Sequence, residues 1–203
     1  DAFSVPCRFI HDAECACNSE LWENPDIKDA TYISLSYHLG GAIIVDGQLL
    51  TGHTGKSGTF EHLTLVPDGI DCYCGHKGCA ECYCSANSLL TYYDNLDDFF
   101  SHKAEGDPVC VSKWDEYLRH LAILINNLHM VLEHTVILGG HVTPYFTEED
   151  LTLIKKYVSE RSTFDDDTSY IIQGKCLGDT VGIGSALPFI KEFIDGIYLF
   201  RIV

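Results

Sequence analysis

The sequence predicts an α/β domain, in which helices cover a β-sheet. In the second half of the chain, amphipathic segments of helical length alternate with short apolar segments of strand length. Such alternation is typical of layered α/β proteins. The chain has 203 residues, of which 46% are hydrophobic, so it can bury a core of its own. We therefore expect residues 1–203 to form a single domain of this class.

The first predicted elements are a strand and a helix. Residues 5–10 read as a short buried strand, although the chain enters it abruptly, which leads us to expect a fragment of a larger protein. The segment that follows, HDAECACNSELW, has the apolar spacing of a helix. Asp12 is the expected N-cap of this helix, because a short acidic side chain can accept hydrogen bonds from its first turn.

A β-meander is predicted next. TYISLSYHL and GAIIVDGQLL read as two strands joined through Gly40 and Gly41. Asp46 and Gly47 form a dipeptide that tolerates positive φ, which predicts a hairpin turn. A further strand is expected over residues 60–65, and a helix over residues 80–96.

One long amphipathic helix is the strongest element in the second half. Its apolar residues repeat at intervals of three and four: Trp114, Tyr117, Leu118, Leu121, Ile125, Leu128 and Leu132. HTVILGGHV and SYIIQG predict strands on either side of a helix in EEDLTLIKKYV. Thr147 and Asp150 have the spacing of a capping box for that helix. A final helix is expected in GDTVGIGSALPFIKEF.

Charge and cysteine content limit the function classes. Thirty acidic residues against 13 basic ones give a formal charge of −17, which disfavours contact with nucleic-acid phosphates. The chain is too long for a disulfide-stapled mini-protein, and its thiols cluster with glycine and histidine, so we expect a reducing cytoplasm. We see no secretory leader and no apolar run of transmembrane length. A membrane partner is therefore not expected.

Residues 62–79 have the composition of a metal knuckle. This stretch offers three thiols, Cys72, Cys74 and Cys79, in the pattern Cys-x-Cys-Gly-x-x-Gly-Cys. A tetrahedral structural zinc takes four such donors, and glycines between the thiols let the backbone curl around an ion. Buried free thiols or a disulfide are the plain alternatives. Cys-x-Cys pairs form disulfides poorly, so zinc is the favoured interpretation.

The fourth ligand is open between two histidines. His76 lies inside the cysteine loop, whereas His62 lies ten residues before Cys72 and could reach back across a turn. Geometry favours His62. Taken alone, His62 would more often be a histidine satisfied within the core, but the three nearby thiols reverse that balance.

Several segments together resemble the ROK family, which contains bacterial sugar kinases and sugar-responsive transcriptional repressors. They are HDAEC, LSYHLGGAIIVDGQLL, EHLTL, CYCGHKGC, ILGGHV and CLGDTVGIGSA, in the order and spacing of that family. The resemblance implies the larger C-terminal lobe of an actin-like, ribonuclease H-like ATPase fold. It implies that His62, Cys72, Cys74 and Cys79 hold a structural zinc. It also implies that the other lobe, and in regulators a DNA-binding domain, precedes the equivalent of Asp1.

The same resemblance assigns ligand-binding residues. It implies that a small sugar or sugar phosphate contacts Asp12, His62 and Glu81, and that Gly139 and Gly140 contact nucleotide in a kinase. Asp12 would then be the catalytic base. The plain alternatives are that Asp12 is only an N-cap and that Glu81 is a solvated acid in the first turn of a helix. Relatives commonly form homodimers through this lobe, so a homodimer is expected.

Departures from the kinase pattern affect the predicted activity. The family's kinases have a Gly-Thr-Gly run around the nucleotide phosphates, where this chain has Ser36, Tyr37 and His38. A sugar-contacting glutamate is replaced by Thr59, and the glycine before the zinc histidine is replaced by Glu61. Phosphoryl transfer depends on positioned backbone amides more than on the base. The altered run therefore predicts weak or absent kinase activity.

The sequence thus predicts the sugar-sensing effector domain of a ROK-type transcriptional regulator, stabilised by zinc. Such a protein would contact DNA only through a domain outside this chain. The alternative is an ATP-dependent sugar kinase that uses ATP and Mg²⁺, with Asp12 as base. A third class, a zinc-stabilised assembly module without a ligand, becomes preferable if sugars leave thermal stability unchanged.

Overall fold

The computed structural model describes residues 7–164, 167–176 and 178–199. Within them, five strands form one mixed sheet in the order β3-β2-β1-β4-β5. The strand bounds are β1 Ala30–Leu35, β2 Leu39–Val45, β3 Gln48–Leu49, β4 Thr135–Gly139 and β5 Ile171–Gln173. β1 pairs antiparallel with β2 and parallel with β4, which in turn pairs parallel with β5. The predicted α/β class is confirmed.

The central strand explains this order. All six residues of β1 are buried, as expected for a strand covered on both faces and flanked by neighbours on both sides. β2 and β3 form the predicted hairpin, and Asp46 and Gly47 turn between them with φ values of 53° and 73°. β3 lies at the edge of the sheet, and because it has only two residues it leaves few backbone groups unpaired there.

Six α-helices surround the sheet in the described part of the chain. Their bounds are α1 Asp12–Glu23, α2 Glu81–Cys84, α3 Leu96–Ala104, α4 Pro108–Leu132, α5 Glu148–Ser159 and α6 Thr180–Leu199. α4 is the predicted long helix, and its apolar stripe includes the fully buried Leu118, Leu121 and Ile125. α5 begins with the predicted capping box of Thr147 and Asp150. None of the described helices has the length and apolarity needed to cross a membrane.

A buried hydrogen bond joins α4 to the start of α5. The indole N–H of Trp114, which is 3% exposed, donates to Asp150 Oδ1 over 2.7 Å. The other Asp150 oxygen, Oδ2, accepts from the backbone N–H of Thr147. One carboxylate therefore caps α5 and fixes it against α4.

Replacing Trp114 with phenylalanine is expected to lower the free energy of unfolding by about 1–3 kcal/mol, because Asp150 loses a buried donor. Urea unfolding followed by circular dichroism measures the change. Trp22→Phe is the matched control, because that ring is 54% exposed and its loss should change the free energy by about 0.5 kcal/mol or less. Equal effects of the two substitutions would contradict this account of the α4–α5 contact.

α1 and α6 are held together by backbone and buried polar contacts. A Cβ atom at Gly184 of α6 would lie 1.6 Å from the carbonyl oxygen of Cys15, so only glycine permits this approach. The hydroxyl of Ser19 donates to the carbonyl of Thr180 over 2.7 Å. Glu20, which is 1% exposed, accepts from the backbone N–H groups of residues 175 and 176. Helix α1 thereby anchors both α6 and the loop before it.

Several local expectations are wrong. Residues 7–10 are not in a strand, and the remainder of the predicted segment, residues 5 and 6, lies outside the described residues. The N-cap of α1 is His11 rather than Asp12, which is the first helical residue. Gly40 and Gly41 lie inside β2, opposite Ser34 and Ile33. Residues 36–38 therefore connect β1 to β2.

Two longer segments also differ from their predicted structure. Residues 60–65 contain a 3-10 helix, Phe60–His62, instead of a strand, because the chain must turn there to reach the cysteine loop. The helix expected over residues 80–96 is limited to α2 and a 3-10 turn at Ala86–Ser88. Helix α3 follows; its N-cap is Asn95, whose side chain accepts a hydrogen bond from the backbone N–H of Asp98.

Candidate functional site

The structure brings together one histidine and three cysteines of the knuckle. The donor atoms of His62, Cys72, Cys74 and Cys79 all lie within 4.8 Å of one another. Cys74 Sγ and Cys79 Sγ are 3.6 Å apart, and Cys72 Sγ is 3.9 Å from His62 Nδ1. Thiolates at the corners of a tetrahedron around zinc would be about 3.8 Å apart. This donor set fits one zinc-sized ion, and His76 lies outside it.

The knuckle backbone is shaped for close packing around these donors. Gly75 and Gly78 have φ values of 88° and 73°. A Cβ at Gly78 would lie 1.7 Å from the carbonyl oxygen of Val66, so glycine is required there. The carbonyl of Gly78 accepts hydrogen bonds from the N–H groups of Leu65 and Val66, which tie the knuckle to the segment after His62.

Burial and the neighbouring thiols affect the protonation of the cysteines. Burial, and then the neighbouring Cys74 and Cys72 thiols, raise the pKa of Cys79 to about 12. A backbone hydrogen bond at His76 lowers the pKa of Cys74. Zinc binds thiolates, so an ion that bound here would displace the proton of Cys79.

Glu81 lies directly behind the knuckle and is almost completely buried. Its Oε1 is 2.8 Å from Nδ1 of His38, and its Oε2 accepts from the N–H of Leu39 over 2.7 Å. Both oxygens thus hold the turn between β1 and β2. The imidazole of His38 is exposed above the buried carboxylate, with its side chain 68% accessible.

An aromatic residue inside the knuckle connects these groups. Tyr73 lies between the two cysteines of the Cys-x-Cys pair, and its ring is 67% exposed. The His62 and His38 rings pack edge-on to it, with centroids 5.3 Å and 5.8 Å away. Partial burial, followed by the Glu81 and Glu61 carboxylates, raises the pKa of Tyr73. Both histidines therefore pack on one exposed ring, and Glu81 is paired with one of them.

Asp12 lies at the same end of the sheet. A Cβ at Gly40 would be 3.0 Å from the Cβ of Ala13, so the start of α1 packs on β2 close to His38. The Asp12 side chain is 75% exposed and lies 3.0 Å from His11 Nδ1. One of its oxygens also accepts from the N–H of Ala13. The carboxylate is open to a ligand and next to an imidazole.

Gly139 is the last residue of β4, the strand beside β1, and Gly140 follows it. A Cβ at Gly139 would lie 2.2 Å from the hydroxyl oxygen of Tyr32, and one at Gly140 would lie 2.7 Å from the backbone of Leu35. Strand packing alone therefore requires both glycines. Tyr37 and His141 follow β1 and β4, and their rings lie 5.2 Å apart with both side chains exposed.

Together these residues lie near the C-terminal edge of the sheet, by which we mean the end at which the parallel strands β1, β4 and β5 finish. Ligands of open α/β sheets bind at that edge. Sequence analysis missed the contribution of His38 and Tyr73. His38 pairs with a residue 43 positions away, and no local pattern marks that contact. The position of Tyr73 between two candidate ligands was the one available signal.

The chain is similar in sequence to known proteins. The profile of the ROK family matches residues 1–186. An N-acetyl-D-glucosamine kinase of Yersinia pseudotuberculosis is 30% identical over 161 residues, which are 68% of this chain and 52% of that protein. The chain therefore spans about half the length of the curated relatives it matches.

Solved structures show the same fold. A ROK family glucokinase from Streptomyces griseus, in complex with glucose and AMPPNP, has a TM-score of 0.76 and 26% identity, over 91% of this chain and 68% of that one. A ROK family transcriptional regulator, a homologue of the Escherichia coli MLC protein, has a TM-score of 0.71 and 22% identity, over 87% and 50%. With a mixed α/β sheet of this topology and a family match over most of its length, the chain belongs to the ROK family.

Proposed function

We propose that this chain is the larger, sugar-binding lobe of an ATP-dependent sugar kinase acting on a hexose or an N-acetylhexosamine. The observation that carries the proposal is that His38 contacts both Glu81 and Tyr73, that Tyr73 also contacts His62, and that the start of α1, where Asp12 lies, packs on Gly40 two residues from His38. The similarity to a named N-acetyl-D-glucosamine kinase supports it. This similarity favours the kinase over the sensor that the altered run at residues 36–38 predicts.

In the proposed reaction Asp12 is the general base. It takes the proton of a sugar hydroxyl while that oxygen attacks the terminal phosphorus of ATP, and ADP leaves. The exposed carboxylate at the start of α1 is placed for this role, since a ligand can reach it without moving the helix. Glu81 acts indirectly, because its two oxygens hold the His38 imidazole and the Leu39 backbone in position.

Zinc belongs to the same proposal. His62, Cys72, Cys74 and Cys79 would hold it, and since all four donors come from the protein, its role would be structural. The ion would fix His62 and the Tyr73 ring beside the sugar. The chain's own hydrogen bonds, from Leu65 and Val66 to Gly78, already align the loop for it.

A second candidate is a sugar sensor without phosphoryl transfer. The observation that favours it is the pair of exposed rings, Tyr37 and His141, which follow β1 and β4. Resemblance to the family's kinases implies glycine at the position of His38 and backbone amides around nucleotide phosphates there. Bulky rings at that place leave less room for a phosphate.

One experiment separates the two candidates. ATP consumption by the full-length protein is measured in a coupled assay with glucose, N-acetyl-D-glucosamine and N-acetyl-D-mannosamine, alongside the thermal midpoint with each sugar. Turnover of about 1–100 per second with at least one sugar is the expected result for a kinase. A raised midpoint without ATP consumption supports the sensor instead, because binding to the native state stabilises it whether or not chemistry follows. If the protein shows no turnover and no sugar-dependent rise in midpoint, both candidate functions are contradicted.

A further inference from the structure

One polar atom beside the knuckle has no partner in the described part of the chain. Glu61 is 9% exposed, and its Oε2 is buried without a hydrogen-bond partner among residues 7–164, 167–176 and 178–199. Buried carboxylate oxygens are normally paired, because removing them from water costs free energy that a donor must offset. An unpaired oxygen of this kind at a binding site indicates a donor that arrives with a ligand.

The backbone fixes where this carboxylate lies. Glu61 is the middle residue of the 3-10 helix Phe60–His62. The ring of Phe60 packs so closely on β2 that a Cβ at Gly41 would lie 2.1 Å from it. On the other side, His62 belongs to the donor set of the knuckle. Glu61 is thus held between two anchored residues and has little freedom to seek another partner.

The surroundings of Glu61 are those of the sugar site. Glu61 directly precedes His62, whose ring packs on Tyr73 together with the ring of His38. The nearby Thr59 provides no carboxylate: its side chain is exposed and its hydroxyl donates to the carbonyl of Lys56. Glu61 therefore offers a carboxylate acceptor two residues after Thr59, the position at which the family's sugar-contacting glutamate is replaced.

We propose that Glu61 accepts a hydrogen bond from the bound sugar and selects unphosphorylated sugars over sugar phosphates. This inference rests on the proposed sugar-binding function. The donor would be a sugar hydroxyl or an amide N–H. A ligand phosphate placed against the Glu61 carboxylate would meet repulsion between like charges, whereas a hydroxyl or an amide N–H would donate to it.

The test measures binding by calorimetry to the full-length protein. The probes are D-glucose and N-acetyl-D-glucosamine, each compared with its 6-phosphate, and the variants are Glu61→Gln and Glu61→Ala. The wild type is expected to bind a free sugar more tightly than its phosphate. Both variants should bind that sugar about tenfold to a hundredfold more weakly, as expected for loss of a hydrogen bond to a charged group. Glu116→Gln, at an exposed carboxylate on α4, is the control and should bind normally.

A thermal readout separates ligand contact from a structural role. Because Glu61 Oε2 has no hydrogen-bond partner among the described residues, Glu61→Gln should leave the midpoint of the sugar-free protein unchanged or raise it, with its metal content unchanged. The rise in midpoint on adding sugar should shrink. A fall in midpoint together with metal loss would assign Glu61 to folding and overturn the inference.

The remaining outcomes are also decisive. Wild-type affinity in both variants would mean that ordered water satisfies Glu61, and tighter binding of the 6-phosphate would reverse the selectivity; either result sinks this inference while sugar binding itself stands. If the wild type binds none of the four probes, the proposed function fails and the role of Glu61 fails with it.

Discussion

The Cys79→Ser variant is expected to lose its bound metal and to unfold at a midpoint about 8–16 °C below that of the wild type. Cys79 is 1% exposed and lies 3.6 Å from Cys74, so a serine there removes one corner of the donor set inside the protein. Structural zinc sites contribute up to about 10–16 kcal/mol in small domains, and loss of about 4 kcal/mol suffices for this shift at 203 residues. Elemental analysis and a thermal melt measure the two effects.

The matched control is Cys82→Ser. Its sulfur lies 3.7 Å from the carbonyl oxygen of Asp71, beside the knuckle but outside the group of four donors. This variant should keep one zinc per chain. His62→Ala should lose the metal and His76→Ala should keep it. Protein that contains no metal when purified without chelator, or metal loss in His76→Ala alone, would refute the assignment.

The Asp12→Asn variant is expected to lower the turnover number by about 10²–10⁴-fold while sugar affinity falls much less. The amide has nearly the shape of the carboxylate but cannot accept the proton of the attacking hydroxyl. Steady-state kinetics with the preferred sugar, together with calorimetry, give the two quantities separately.

Asp26→Asn is the control, because Asp26 is an exposed acid in the turn after α1. Its turnover should match that of the wild type. Wild-type turnover in Asp12→Asn would remove the proposed base. A loss of turnover that is accompanied by a lowered thermal midpoint would mean that Asp12 only supports the helix.

Sequence reasoning succeeded where the signal is periodic or local. The stripe of α4 and the Thr147–Asp150 capping box each depend on residues a few positions apart, and both are present. The hairpin at Asp46 and Gly47 is likewise encoded by two adjacent residues that tolerate positive φ. Such patterns can be read without knowing what lies next to them in space.

It failed where distant contacts decide the local structure. Glu61 falls in the strand predicted over residues 60–65, whereas it lies buried in a 3-10 helix in which Phe60 packs on Gly41. Glu81 has the sequence context of a solvated first-turn acid, yet a backbone N–H and an imidazole more than forty residues away surround it. No single-sequence pattern carries that information.

The contact between α1 and α6 restricts how these two helices can move relative to each other. With Gly184 against the carbonyl of Cys15, and Glu20 holding the loop before α6, the two helices cannot slide past each other without breaking buried hydrogen bonds. A displacement of α6 would therefore either break these contacts or move α1, whose first residue is Asp12.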